Sequence, residues 1–256
     1  MPWHEPDDWP EDAVRDRLIG DWHIWQRRGG HRTGTDDVLT AWFAVSRFGA
    51  TPARYLDLGC GIGSVLLMTA HKLRPRVCTG VEAQPQSARM ARRAVDELVA
   101  APEITIVHSD FRSFHRGDDA STYPLITGSP PYFPVGTGSL PADPQRRACR
   151  FEARGGVEAY CDAAARWLAP QGRFYFVFQT VWDARVQAAI AAAGLHLHAR
   201  ADATMREGRP DPFLTVYEVG LSPSDAPVEV VALTIRSEAG AFTPGYTAAR
   251  RELGVE

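Results

Sequence analysis

Three glycines in a GxGxG pattern follow an aspartate in the segment DLGCGIG. A strand pattern precedes this segment and a helix pattern follows it, so the glycines lie in a strand-to-helix turn. Glycine lets a backbone approach a ligand closely, and a helix N-terminus offers unpaired N–H groups. A dinucleotide-binding turn would have its third glycine where this chain has Ser64. The turn therefore predicts a binding site for a ligand that lacks pyrophosphate, and the aspartate before the glycines is placed to bind an amine of that ligand. The candidates are Asp57, Gly59, Gly61 and Gly63.

Two further acids follow the next two predicted strands. Glu82 ends the second strand, where a carboxylate can accept both hydroxyls of a ribose, and Asp110 follows the third, where it suits an adenine amino group. Phe111 lies beside it as another contact for the ligand. The carboxyl ends of parallel strands share one crevice, so the three acids should face a single ligand. Amine, ribose and adenine without phosphate together describe S-adenosylmethionine, the cofactor that we predict.

After the fourth predicted strand comes the segment SPPYF, residues 129–133. Two prolines fix the backbone and remove two N–H donors, which leaves carbonyl groups free to accept hydrogen bonds from a ligand. The Ser129 side chain and the Pro130 carbonyl could hold both N–H groups of a planar amine, while Tyr132 stacks on its ring. The candidate catalytic residues are Ser129, Pro130, Pro131 and Tyr132, with Phe133 as a substrate contact.

The elements that must position these residues alternate between strands and helices. Strands are predicted at 54–58, 76–81, 104–108, 123–127, 173–179, 195–205, 213–220 and 228–236. Helices are predicted at 38–48, 65–72, 84–100, 156–168 and 184–193, with a short polar tail at the end. This alternation predicts an α/β fold with a mostly parallel, doubly wound sheet. We expect one domain over residues 21–256, with 21–52 as its N-terminal extension and residues 1–20 as a loosely attached, flexible acidic arm.

Composition excludes several classes of protein. Of the 256 residues, 45% are hydrophobic and 23% charged, which is typical of a globular chain rather than a disordered one. We find no apolar run long enough to span a membrane and no apolar core in the acidic first residues, so we expect a cytoplasmic protein with reduced cysteines. A net charge of −3 argues against coating nucleic acid by charge alone, but it allows a local basic patch. His196 and His198 lack a third ligand nearby, so we predict no metal site.

The glycine segment and Glu82 resemble the first two motifs of class I methyltransferases. The SPPYF segment resembles the (N/D/S)PP(Y/F) motif of amino-group methyltransferases, which act on adenine N6, cytosine N4 or a glutamine amide. The resemblance implies a Rossmann-like fold, S-adenosylmethionine as cofactor and methyl transfer to an exocyclic amine. Most adenine-specific members have Asn or Asp where this chain has Ser129.

Residues 22–256 further resemble the bacterial tRNA(Val) adenine-N6 methyltransferases. The segment HRTGTDDVL is similar to the family's RxGTDxxLL, which implies that Thr35 and Asp36 lie near the methionine end of the cofactor; alternatively, they only cap the next helix. The arginine-containing segment after SPPYF also resembles that family, as does the end of the chain. Its arginines would contact phosphates beside the pocket and away from the strand-end acids, or they are simply solvated. They are Arg146, Arg147, Arg150 and Arg154, with a second patch at Arg27, Arg28 and Arg32.

These observations predict an S-adenosylmethionine-dependent N-methyltransferase that acts on an exocyclic amine of a nucleic-acid base, with adenine N6 in a tRNA as the favoured target. A protein glutamine-amide N5-methyltransferase shares the PPY loop but usually carries a helical N-terminal domain, for which the region before Asp57 is too short. A small-molecule amine methyltransferase and a binding protein without catalysis are further alternatives. We expect neither a membrane nor a metal as partner, and the sequence carries no signal for an oligomeric state.

Overall fold

The described strands form one eight-stranded sheet and a separate hairpin in the computed structural model, which describes residues 9–115, 122–137 and 141–255. The strands are β1 (Ala13–Ile19), β2 (Trp22–Arg27), β3 (Arg54–Leu58), β4 (Val77–Glu82), β5 (Glu103–His108), β6 (Tyr123–Gly128), β7 (Leu168–Gln179), β8 (His196–Arg206), β9 (Leu214–Gly220) and β10 (Glu229–Arg236). The helices are α1 (Thr35–Phe48), α2 (Ser64–Leu73), α3 (Pro85–Asp96), α4 (Pro144–Arg150), α5 (Val157–Trp167), α6 (Asp183–Ala192) and α7 (Pro244–Leu253).

The large sheet has the strand order β10-β8-β9-β7-β6-β3-β4-β5. Within the described part of the chain, β9 is antiparallel to both of its neighbours and all other pairs in this sheet are parallel. The prediction of a mostly parallel sheet is therefore confirmed. This topology places the carboxyl ends of β3, β4, β5 and β6 along one edge, where ligands bind in such folds.

Helices cover both faces of the sheet, which explains why its central strands are apolar on both sides. One buried cluster joins α1, α2, α3 and α7 to one face, with Phe43, Leu66 and Tyr246 among its members. A second joins α5 and α6 to the other face, with Val157 and Ile190 among its members. The sheet is doubly wound, as predicted.

The prediction that residues 1–20 form a flexible arm is wrong for the second half of that segment. β1 pairs antiparallel with β2, and Leu18 and Ile19 at its end are buried in the core cluster that contains α2. Burial of these two apolar side chains ties the segment to the fold although its composition is polar. Residues 1–8 of the predicted arm lie outside the described residues.

Two further helices escaped the sequence analysis. The predicted polar tail is helix α7, capped by the Thr243 hydroxyl, which accepts from the Tyr246 N–H at 3.2 Å. Asp143 caps the seven-residue α4, where its carboxylate accepts from the Arg146 N–H at 2.9 Å. Helix α1 begins earlier than predicted, with Gly34 at the cap rather than Thr35 or Asp36.

In the described part of the chain, no helix combines the length and apolarity that a membrane span needs. Nor do the described His, Cys, Asp and Glu side chains form a group of three or more that could hold a metal ion.

Candidate active site

A cleft lies at the carboxyl edge of β3, β4, β5 and β6. It brings together most of the predicted cofactor and catalytic residues. Those lining it are Asp36, Asp57, Gly59, Gly61, Glu82, Asp110, Phe111, Ser129, Pro130, Pro131 and Tyr132. Gly63, Thr35 and Phe133 do not line the cleft; Gly63 is the N-cap of α2. The strand-end motifs therefore meet at one site.

Gly59 is required because the backbone there has φ +64° and a tyrosine packs against it. A Cβ on Gly59 would overlap the Tyr160 hydroxyl, and one on Gly128 would come within 2.9 Å of the same ring. Both glycines thus make room for Tyr160, which lines the cleft between the glycine loop and the SPPYF loop. Tyr160 could not be predicted from the sequence as a site residue, because it belongs to α5 and not to a recognisable motif.

Glu82 is oriented before any ligand binds. Its buried carboxylate accepts from the Gly61 N–H at 2.9 Å and from the Gln84 N–H at 2.6 Å. Burial raises the pKa of Glu82 above its ordinary value, although these backbone donors and the nearby Arg154 oppose the shift. Each carboxylate oxygen keeps lone-pair capacity for a hydroxyl of a ribose.

Asp57 has one satisfied and one unsatisfied carboxylate oxygen. Its Oδ1 accepts from the Thr127 hydroxyl at 2.7 Å, and Thr127 is 2.6 Å from the Tyr55 hydroxyl. Its Oδ2 is buried without a hydrogen-bond partner among the described residues. Burial raises the pKa of Asp57 to about 7. An orphaned carboxylate oxygen in this cleft fits the ammonium group of an amino-acid ligand such as S-adenosylmethionine.

Asp110 is engaged by a neighbour in this structure. Arg112 donates to it from its backbone N–H at 3.0 Å, from Nε at 2.9 Å and from Nη2 at 2.6 Å. The Arg112 hydrogen bonds lower the pKa of Asp110, so the carboxylate is charged at neutral pH. Phe111 is buried and packs on Tyr160 with ring centroids 4.4 Å apart, which forms an apolar wall beside the acid.

The SPPYF loop contains a buried, unpaired hydroxyl on a residue that lines the cleft. Ser129 Oγ is buried and has no partner among the described residues. Tyr132 donates its hydroxyl to Asp36 Oδ2 at 3.0 Å and packs edge-on against Phe178 at 5.4 Å. Burial and the Asp36 carboxylate raise the pKa of Tyr132, so it stays a phenol. The ring is thereby held in one orientation at the cleft wall.

Phe133 fastens this loop to the segment after α4. Its N–H donates to the Arg150 carbonyl at 3.0 Å, and its own carbonyl accepts from the Glu152 N–H at 3.0 Å. The ring packs on Phe151 at 5.8 Å rather than lining the cleft. The catalytic loop and the arginine-containing segment are therefore one connected unit.

The four predicted phosphate-binding arginines do not form one cluster. Arg146 and Arg150 lie one turn apart on α4 and line a shallow groove, whereas Arg147 donates to the Pro141 carbonyl at 3.1 Å and lies outside it. Arg154 lines the cleft at the carboxyl ends of the strands, which we call the cofactor cleft. Its charge opposes the rise in the pKa of Glu82 and helps to lower the pKa of Asp110. The expectation that these arginines lie away from the strand-end acids is wrong for Arg154.

The second predicted basic patch, formed by Arg27, Arg28 and Arg32, is also divided between two locations. Arg28 and Arg32 line the groove together with Arg146 and Arg150, and Arg32 also pairs with Asp16 at 3.0 Å. Arg27 does not line the groove; it pairs with Asp12 at 2.8 Å and Asp143 at 2.7 Å. The resulting groove, lined by Arg28, Arg32, Arg146 and Arg150, is the arginine groove.

His31 joins the cleft to the arginine groove, because it lines both. Burial opposes its charged form, but the Cys149 thiol and the carboxylates of Asp36 and Glu82 outweigh that effect and raise the pKa of His31. His31 belongs to the HRTGTDDVL segment, but no role for it follows from the sequence. Its only signal was its place beside the glycine and threonines of that segment.

The chain is similar in sequence to known RNA-modifying enzymes, although no protein-family model matches it. It is 31% identical to the tRNA1(Val) (adenine(37)-N6)-methyltransferase of Musicola paradisiaca over 230 residues, 85% of each chain. It is 29% identical to the enzyme of the same name from Tolumonas auensis, covering 88% of this chain and 91% of that one.

Solved structures show the same fold. A predicted O-methyltransferase from Agrobacterium tumefaciens aligns with a TM-score of 0.59 at 18% identity, covering 87% of this chain and 98% of that one. A putative class I S-adenosylmethionine-dependent methyltransferase from Listeria monocytogenes aligns with a TM-score of 0.57 at 15% identity. The alignment covers 89% of this chain and 72% of that one. The architecture is the Rossmann-like fold of class I methyltransferases.

Proposed function

The chain belongs to the tRNA1(Val) (adenine(37)-N6)-methyltransferase family, and from that membership we propose that it methylates N6 of an adenine in a tRNA. It is an S-adenosylmethionine-dependent methyltransferase, as are its relatives and structural neighbours. The observation that carries the proposal is the single cleft that holds both the strand-end acids and the SPPYF loop, with the Ser129 hydroxyl buried and unpaired.

The strand-end residues hold the cofactor in this proposal. Asp57 Oδ2 receives the ammonium group, which gives the orphaned oxygen a charged donor. Glu82, already fixed by two backbone donors, receives the ribose hydroxyls. Asp110 and Phe111 border the adenine, and the glycine loop lets the backbone approach closely. When bound, the cofactor supplies an electrophilic methyl group.

The SPPYF loop then orients the amine that accepts this methyl group. One N6–H donates to Ser129 Oγ and the other to the Pro130 carbonyl, which aims the nitrogen lone pair into the cleft. Tyr132, fixed by its hydrogen bond to Asp36, stacks on the adenine ring. The target base must leave its own stack to enter the cleft, as substrate bases do in related chemistry. After transfer, the nitrogen loses its proton to water.

The arginine groove holds the RNA backbone beside the cleft. Its four guanidinium groups border a surface that shares His31 with the cleft, so phosphates bound there lie next to the extruded base. No ion pair involves Arg28, Arg146 or Arg150 among the residues that the structure describes. We place the enzyme in the cytoplasm, where tRNA is its partner.

The deciding experiment offers the protein labelled S-adenosylmethionine with unfractionated tRNA, DNA or cellular protein, and then digests each product to its units. We expect the label in N6-methyladenosine from tRNA, with no label transferred by Tyr132→Ala at unchanged cofactor binding. Label in a glutamine side chain of the protein fraction would instead establish the glutamine-amide methyltransferase. Label in none of the three polymers, with turnover of a small amine, would establish the small-molecule alternative.

A further inference from the structure

A second cleft lies between the β1–β2 hairpin, α1 and α7. Its lining contains two arginines and two aromatic rings, and no aspartate or glutamate is among the described residues that line it. The residues are Arg17, Leu18, Ile24, Gln26, Thr33, Gly34, Thr35, Val38, Phe242, Tyr246, Arg250 and Val255. We call it the Phe242 cleft. Its chemistry suits a ligand that is both flat and anionic.

Phe242 presents an aromatic ring to solvent on the wall of this cleft. The side chain is 40% exposed, although the core of the fold buries most large apolar residues. Guanidinium carbons of Arg236 and Arg250 stand 4.4 and 5.0 Å from its ring centroid, and Tyr246 packs against it edge-on at 5.1 Å. Both guanidinium groups lie over the ring, so a base that stacks on Phe242 competes with them for its π-face.

The Phe242 cleft and the cofactor cleft share a wall. Thr33 and Thr35 line the Phe242 cleft, whereas His31 and Asp36 line the cofactor cleft. Along this short segment Thr33 and Thr35 lie between His31 and Asp36, so the segment separates the two clefts. A polymer that occupies both clefts must cross it.

We propose that the Phe242 cleft binds an unpaired nucleotide of the RNA whose adenine enters the cofactor cleft. Its base stacks on Phe242, and its phosphate meets Arg250. This proposal rests on the proposed function, since it extends the same RNA beyond the catalytic site. Thr35, expected at the methionine end of the cofactor, belongs instead to the wall of this second site.

A nucleotide matches this surface better than an apolar peptide does. Aromatic side chains and guanidinium planes are the groups on which proteins stack unpaired bases of RNA. Arg250 would lose hydration against an apolar partner without gaining a counter-charge, whereas a phosphate supplies one. The absence of carboxylates from the described lining removes repulsion of that phosphate.

Binding of unfractionated tRNA to the full chain tests the proposal, with S-adenosylmethionine affinity measured in parallel. Phe242→Leu keeps an apolar side chain but removes the π-face, whereas Phe242→Tyr keeps it. We expect Phe242→Leu to raise the Kd for tRNA about tenfold and Phe242→Tyr to leave it near wild type. Arg250→Ala should reduce the salt slope of tRNA binding by about one. Cofactor affinity should not change in any of the three.

Matched controls lie at the amino edge of the sheet. Val99→Ala removes an exposed apolar side chain and Arg76→Ala removes an exposed arginine, and neither should change tRNA binding. If wild-type protein methylates tRNA and Phe242→Leu binds it as tightly as Val99→Ala does, the Phe242 cleft is not an RNA site. If wild-type protein neither binds nor methylates tRNA but modifies a protein, the proposed function itself falls, and this inference falls with it.

Discussion

The affinity for S-adenosylmethionine should rise with pH because its proposed ammonium ligand, Asp57, titrates near neutrality. Burial raises the pKa of Asp57 to about 7, and its Oδ2 has no partner among the described residues. The ionised fraction is then about one tenth at pH 6 and about three quarters at pH 7.5. Only the carboxylate pairs with an ammonium group, but the α-amino group, with an ordinary pKa of about 7.7–8.0, is itself about one third deprotonated at pH 7.5. The affinity should therefore increase about five- to sixfold over this interval.

The same titration sets the sign of the stability change in the cofactor-free protein. The pKa of Asp57 in the folded protein lies above its ordinary value of 3.8, so the folded state binds the proton more tightly. Its contribution to the free energy of unfolding is fully present below about pH 4 and is lost as the pH rises through about 7. The difference amounts to about 4 kcal/mol. Glu82, whose pKa is also raised by burial, acts in the same direction.

Calorimetric titration between pH 6.0 and 7.5 measures this effect, with S-adenosylhomocysteine as a second ligand that carries the same ammonium group. The matched variant is Asp57→Asn, which keeps the size of the side chain and cannot ionise. We expect weak, nearly pH-independent binding in the variant, and a smaller loss of stability with rising pH. A flat profile in the wild-type protein, or an equal slope in Asp57→Asn, would refute the assignment of Asp57 to the ammonium group.

Three further predictions concern the loops and the groove. Arg146→Ala combined with Arg150→Ala should reduce the salt slope of tRNA binding by about two at unchanged cofactor affinity; an unaltered slope would remove the groove from the RNA site. Gly59→Ala should lower the free energy of unfolding by several kcal/mol more than Gly194→Ala does. Both glycines have positive φ, but only Gly59 packs against a side chain, and equal losses would show that the contact with Tyr160 does not matter. Tyr132→Phe should lower kcat about tenfold without changing cofactor affinity, since it loses the hydrogen bond to the α1 carboxylate; unchanged kcat would show that this bond does not orient the ring.

Local patterns predicted the central part of this molecule. The strand β3 was predicted with its observed ends, and the strand-end positions of Asp57 and Glu82 follow from strand–turn–helix periodicity. Residues at the carboxyl ends of neighbouring parallel strands must meet, so one cleft could be predicted before any contact was known. SPPYF belongs to the same edge for the same reason.

Features with weak local signals were missed. β1 and α7 are polar in composition, and only their packing against α2 and α1 explains why they are ordered. Helix α4 is too short for a periodic pattern, and its cap, Asp143, is also held by Arg27 from a distant strand. In each case the stabilising contact joins residues far apart in the sequence, which no window of neighbouring residues contains.

Backbone periodicity and turn chemistry are local, so the residue pattern predicts the parallel part of the sheet, its ligand-binding edge and the two motifs proposed to face the cofactor and the amine. It does not predict which partner each arginine faces. Arg146 and Arg154 are eight positions apart in the same arginine-containing segment. Arg146 nevertheless lines the arginine groove, whereas Arg154 lines the cofactor cleft. The turn that follows α4 separates them, and the attachment of that turn to Phe133 fixes its path. Long-range contacts, rather than residue types, set the direction of a charged side chain.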